Sequence, residues 1–200
     1  MDLQKKEELL KQIKDEVVAL KDSPLYKERV KNKVFPVIGE GNHQAHIMFV
    51  GEAPGKSEAA TGRPFCGAAG KVLTQMIEHI GLTRPDVYIT NVVKDRPPEN
   101  RDPFPEEIAL YGPFLDRQID AIQPKFIATL GRHSMGYVMQ KFGLSGELKS
   151  ISQIHGKMFN GKTSYGEIKI VPLYHPAVAL YQASLKEQMF RDMESLKNLL

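Results

Sequence analysis

Three side chains with chemistry to offer stand at the ends of short apolar runs. Glu52 lies in Gly51-Glu52-Ala53-Pro54-Gly55 after the run 46–50, Asn91 lies near the end of 87–93, and His175 lies in Tyr174-His175-Pro176-Ala177 after 167–173. A fourth such place is Gly131-Arg132-His133-Ser134, after 125–130. A carboxylate can orient water or steady a cation. A carboxamide offers both a donor and an acceptor, and an imidazole can donate to a developing anion. Each has a plainer use as well. The glycines can form a tight turn, Glu52 can be a solvated charge or a cap partner, Asn91 can cap a turn, and His175 can be a packed loop residue. Their joint position at strand ends is what favours a site.

The elements that must position them alternate. An amphipathic helix is expected at 3–20, with Leu3, Leu9, Leu10, Ile13, Val17 and Leu20 near helical spacing and a stop at Lys21-Asp22-Ser23-Pro24. Residues 25–45, with Pro36, Gly39 and Gly41, read as irregular. Strands at 46–50, 87–93, 125–130 and 167–173 then interleave with helices at about 67–80, 105–122, 132–141 and 183–199. That order predicts an α/β fold, a three-layer α/β/α sandwich around a four-stranded parallel sheet. In such sheets ligands bind beyond the carboxyl ends of the strands. An acid, an amide and an imidazole on one rim is therefore the expectation.

The chain has 200 residues and one cysteine, Cys66, which excludes a disulfide within it and a thiolate-only metal or iron–sulfur site. The length fits a single domain, 1–200. The start, Met1-Asp2-Leu3-Gln4-Lys5-Lys6, is too charged for a signal peptide, and no apolar run approaches the length of a membrane span. A cytoplasmic monomer without membrane contact is the expectation. The net charge of +3 permits nucleic-acid binding without requiring it.

Taken together, 50–55, Thr61-Gly62-Arg63-Pro64-Phe65 with Gly67, the block 88–94 followed by Arg96-Pro97-Pro98 and Asn100-Arg101, and His175-Pro176-Ala177 resemble the uracil-DNA glycosylase superfamily. The version with Glu52 resembles its family 4, and the resemblance runs over about 20–197. It implies a DNA repair enzyme that hydrolyses the N-glycosidic bond of uracil flipped out of DNA, at a few kcal/mol of unstacking. Glu52 and His175 would be catalytic. Gly51, Ala53, Gly55, Glu58, Phe65 and Asn91 would bind uracil: Phe65 by stacking, Asn91 by pairing with N3–H and O4, and Glu58 as a gate near C5. Lys94, Arg96, Arg101, Arg132 and Ser134 are candidates for phosphates, and Leu180 or Tyr181 for a minor-groove wedge, though either can also be core.

The sequence departs from family 4 at one point. Its members hold an iron–sulfur cluster on four cysteines, and the matching positions here are Leu20, Ser23, Asp95 and Tyr111. No cluster, no other cofactor and no metal are expected, with Leu20, Leu25, Tyr111 and Phe114 packed in that place. A related group traps uracil through a histidine in a basic insertion. Residues 94–105 contain neither, so no covalent trapping is expected. Cys66 reads as packing. The competing readings are a silent nucleic-acid- or partner-binding module of the same fold, a glycosylase for hypoxanthine or xanthine, and a doubly wound nucleotide enzyme. The last lacks both GxxxxGK[ST] and GxGxxG.

Overall fold

The computed structural model describes residues 1–197. Two helices come first, α1 (Leu3–Val18) and α2 (Pro24–Asn32). Asp2 caps α1, its carboxylate accepting the Lys5 amide at 2.9 Å. Leu10, Ile13 and Val17 form its buried stripe. Ser23-Pro24 ends one helix and begins the next: Ser23 is the N-cap of α2 and Pro24 takes a first-turn position, where no amide hydrogen is missed. The region read as irregular thus opens with a helix.

A six-stranded sheet follows among the described residues: β1 (Glu40–Gly41), β2 (Ile47–Gly51), β3 (Tyr88–Asn91), β4 (Phe126–Leu130), β5 (Phe159–Thr163) and β6 (Gly166–Leu173). Their order is β1-β3-β2-β4-β6-β5. The four central strands are parallel, as expected, and β1 and β5 add antiparallel edges that were not foreseen. The register sets Gly51 of β2 beside Asn91 of β3, and Leu130 of β4 beside Leu173 of β6.

The remaining helices are α3 (Lys56–Thr61), α4 (Ala68–His79), α5 (Pro105–Ile122), α6 (Arg132–Lys141), α7 (Ile151–Ile154) and α8 (Ala183–Lys197). Successive strand residues face opposite sides, and two cores result. Met48, Val50, Ile127 and Ile170 pack with residues of α1, α5 and α6. Ile47, Phe49, Ile89 and Ala128 pack with α4 and α8. This is the three-layer sandwich. The expected last helix, 183–199, reaches beyond the described residues at 198 and 199.

Candidate active site

The parallel order brings the carboxyl ends of β2, β3, β4 and β6 to one rim. A cavity of about 360 Å³ opens there, with Ala53, Gly55, Glu58, Phe65, Asn91 and His175 in its wall. Asn100, from the loop after β3, joins them.

Asn91 is buried, and its Oδ1 has no hydrogen-bond partner among the described residues. An orphaned acceptor costs about 1–3 kcal/mol, so its presence at a cavity wall marks a place for a donor from outside. Gly51 makes that placement possible. A side-chain carbon on Gly51 would fall on Asn91 Oδ1 and lie 2.7 Å from the Phe65 ring. No residue larger than glycine fits between them.

Phe65 has a left-handed backbone, φ +48°, which disfavours a non-glycine residue. Arg84 holds it there, donating to the Phe65 carbonyl at 3.1 Å and to the Pro64 carbonyl at 2.8 Å. Glu40 on β1 in turn accepts from Arg84 at 2.6 Å and from Arg63 at 2.8 Å. Arg84 was not singled out from sequence; in a Thr83-Arg84-Pro85 turn nothing marks it.

His175 begins the turn after β6. Gly131, at φ +99°, packs so close to it that a side-chain carbon there would lie 3.2 Å from His175 Cβ. The Ala177 amide donates to His175 Nδ1 at 3.2 Å. In the neutral ring the proton therefore sits on Nε2. Burial pushes the imidazole below its ordinary pKa, with Glu58 opposing, so a neutral Nε2–H donor is the form favoured at neutral pH. The Phe65 and His175 ring centroids are 5.8 Å apart.

Glu52 is not in the cavity wall. It stands half-buried on the same rim, with His133 Nε2 at 3.9 Å. Burial raises its pKa above the ordinary carboxylate range. His133 and Arg132 oppose this and Asp102 adds to it.

The phosphate candidates divide. Lys94 is fully buried: its ammonium donates to Gln118 Oε1 at 2.6 Å, the Asn91 carbonyl at 2.6 Å and Thr90 Oγ1 at 2.8 Å. Burial pulls its pKa well down, and three acceptors around the charged form work the other way. No phosphate can reach it, so the expectation for Lys94 is corrected; it braces the Asn91 backbone instead. Ser134 is also fully buried, its hydroxyl donating to the Gly131 carbonyl at 3.2 Å, and its side chain is withdrawn too. Arg101 is engaged bidentately by Glu107 at 2.7 and 2.9 Å and lies over the Phe104 ring. Arg96 donates to Asn100 Oδ1 at 2.7 Å. Arg132 is 68% exposed, paired with Asp102. Leu180 and Tyr181 are not core: they are 45% and 85% exposed. Cys66 is half-buried, its Sγ 3.3 Å from Thr61 Oγ1.

Residues 38–195 match the family model described as the uracil DNA glycosylase superfamily. The chain belongs to the uracil-DNA glycosylase superfamily. It is 50% identical over 191 residues to a type-4 uracil-DNA glycosylase of Sulfurisphaera tokodaii, covering 95% of this chain and 84% of that protein. It is 46% identical to one from Archaeoglobus fulgidus, over 84% of both chains. A third, from Thermotoga maritima, is 39% identical over 98% of this chain and 96% of its own. Type 4 is the branch of the superfamily nearest to this sequence.

The cluster that the type-4 resemblance implies does not fit the residues present. Three of the four matched positions bond to one another: Tyr111 donates to Asp95 Oδ2 at 2.6 Å, and Ser23 Oγ lies 2.7 Å from the Tyr111 hydroxyl. Arg29 closes the group, donating to both Asp95 oxygens at 3.1 and 3.2 Å. Leu25 and Tyr111 pack with Val17 and Val93, and Leu20 and Phe114 lie against them. The donor set holds no thiol, and its polar atoms already serve one another.

Proposed function

We propose that this chain is a monofunctional uracil-DNA glycosylase, acting on uracil flipped out of DNA and leaving an abasic site, without an iron–sulfur cluster. The observation that carries the reading is the unpaired Asn91 Oδ1, buried in a cavity wall with the Phe65 ring beside it. Uracil presents N3–H and O4 to a carboxamide in a matching pattern; cytosine presents the reverse. A buried mismatch leaves polar groups unpaired, and sites of this kind discriminate strongly. The Phe65 ring supplies a stacking face worth about 1–3 kcal/mol.

When the C1′–N1 bond breaks, its electron pair stays on uracil and spreads to O2. His175 Nε2–H donates there, at a worth of about 3–4 kcal/mol in a dry pocket. The sugar is left cationic. Glu52 steadies it and orients the water, whose oxygen bonds to C1′ as its proton passes to the Glu52 carboxylate and on to solvent. The backbone of 51–55 and the Glu58 side chain complete the fit around the ring, with Glu58 set against the methyl of thymine. Arg96, Arg101 and Arg132 meet phosphates, the last two by exchanging their present carboxylate partners, and Leu180 or Tyr181 fills the gap in the stack. We read the chain as a single domain working as a monomer in the cytoplasm. One sheet running from residue 40 to 173 supports the first, and no helix among the described residues is long and apolar enough to cross a membrane.

The test is incubation with a labelled oligonucleotide carrying one deoxyuridine, then alkaline cleavage of abasic sites. Parallel strands carry hypoxanthine or xanthine. Scission at uracil that disappears in the Asn91→Ala, His175→Ala double variant supports the reading. Binding of DNA without scission points to a silent module instead.

A further inference from the structure

The backbone that carries the Phe65 ring is gripped from outside the cavity. Arg84 opens the short turn Arg84–Asp86, just ahead of β3. Asp86 pins that turn, its carboxylate accepting the Thr83 amide at 2.7 Å and the Thr83 hydroxyl at 2.6 Å. From there the Arg84 guanidinium divides its donors: Nη1 serves the Phe65 carbonyl, and Nη2 serves the Pro64 carbonyl and Glu40 Oε1. Glu40 stands on β1, where it pairs with Ile89 of β3. The helix α4 presses on the same peptide, since a side-chain carbon on Gly70 would fall on the Phe65 carbonyl. Arg84 is itself only 19% exposed. A DNA phosphate would have to displace two carbonyls and a carboxylate to use it.

We propose that Arg84 is a positioning residue for base excision: anchored on Glu40, it holds the Phe65 ring in place as the stacking face for the flipped base. The inference rests on the reading of Phe65 as that face. At φ +48° the Phe65 backbone occupies a region disfavoured for any residue with a side chain. Released from the guanidinium, it relaxes toward negative φ, and that rotation re-aims the ring. Charge-assisted bonds from a planar fork, itself tied to a carboxylate, oppose the rotation without touching the base. A small misplacement of a group that orients the substrate lowers rate even when every contacting group is still present. The arrangement also gives the edge strand a use. β1 is two residues long and neither is buried; what it brings to the site is Glu40.

Single-turnover excision from the deoxyuridine oligonucleotide, measured for the parent, Arg84→Met, Phe65→Ala and the double variant, tests this. Each single change is expected to slow excision on the order of tenfold. The double variant is expected to be slower than Phe65→Ala by no more than about twofold, because the guanidinium acts through the ring. Arg84→Lys, with one ammonium in place of the fork, is expected to recover part of the rate. If the two single effects multiply instead, the inference is overturned and Arg84 merely supports the fold. The dependence of DNA affinity on salt is the second readout. Arg84→Met is expected to keep the slope of the parent; a slope smaller by about one makes Arg84 a phosphate contact and also overturns the inference. Should Arg84→Met fail to melt like the parent, Glu40→Gln, which loosens the guanidinium at its anchor, takes its place in the same cycle. If Phe65→Ala alone leaves excision unaltered, the ring is not the stacking face, and the inference falls while the glycosylase reading stands. Absence of excision by the unsubstituted protein is a separate outcome, which removes that reading and the inference with it.

Discussion

Two polar groups of similar make-up lie at either end of one short stretch, and they are built in opposite ways. In the corner where α1 and α2 meet the loop after β3, Arg29, Asp95, Tyr111 and Ser23 bond to one another, and Arg29 also donates to the carbonyls of Val17 and Val18. Four residues back along the chain from Asp95, Asn91 keeps its buried Oδ1 unpaired, Phe65 holds a left-handed backbone, and Glu52 is held away from its ordinary ionisation. The corner satisfies itself. The rim leaves bonding capacity open, which costs stability and is repaid only by a ligand. Substitutions in the first should therefore cost fold, and in the second function.

The largest separation is expected from Asp95→Ala, which strands the buried Arg29 guanidinium. A loss of about 3–5 kcal/mol in unfolding free energy is expected by denaturant titration, with the remaining folded fraction still excising. Next, His175→Ala should slow single-turnover excision by about 10²–10³ and leave the melting temperature where it was; a comparable loss of stability would erase the contrast. Tyr111→Phe removes one hydroxyl from the middle of the corner and should cost about 1–3 kcal/mol, read in the same titration. The smallest effect sharpens the comparison most, because its sign is reversed. Burial raises the pKa of folded Glu52. Its penalty is absent below the ordinary carboxylate range, grows as pH rises from there through the raised value, and is complete above it. Glu52→Gln should thus melt about 1–3 °C higher at neutral pH, lose that gain in acid, and be impaired in excision throughout. A lower melting temperature at neutral pH would contradict the account of the rim.

The layers and the rim were legible because both follow from local rules. Near-continuous apolar runs closed by Gly51 and Gly131 mark buried parallel strands, and the carboxyl ends of such strands share one side. The edges were not: β5 contains Asn160, Gly161 and Lys162 and is half solvated, so neither alternation nor a long apolar run announces it. The helix α2 was hidden by Pro24, read as a stop although proline is at home in a first turn. Lys94 was misjudged because its charge was weighed alone; Val92 and Val93, both buried, were the sign that the chain was still inside. The apolar part of the corner, Leu20, Leu25, Tyr111 and Phe114, was foreseen from residue character. Its polar half was not, since Arg29 and Asp95 are 66 residues apart and only the fold brings them together.

The burial of Lys94 has a practical consequence for anyone mapping this protein on DNA by covalent labelling. An ammonium enclosed by three acceptors is silent to acylating reagents in the free protein as in a complex. A protection map would score it as shielded by DNA unless the unbound state were measured alongside. Tyr181, exposed almost completely, is the natural reporter: open to a tyrosine-directed reagent in the free protein, it should lose that reactivity only when a duplex lies across the rim.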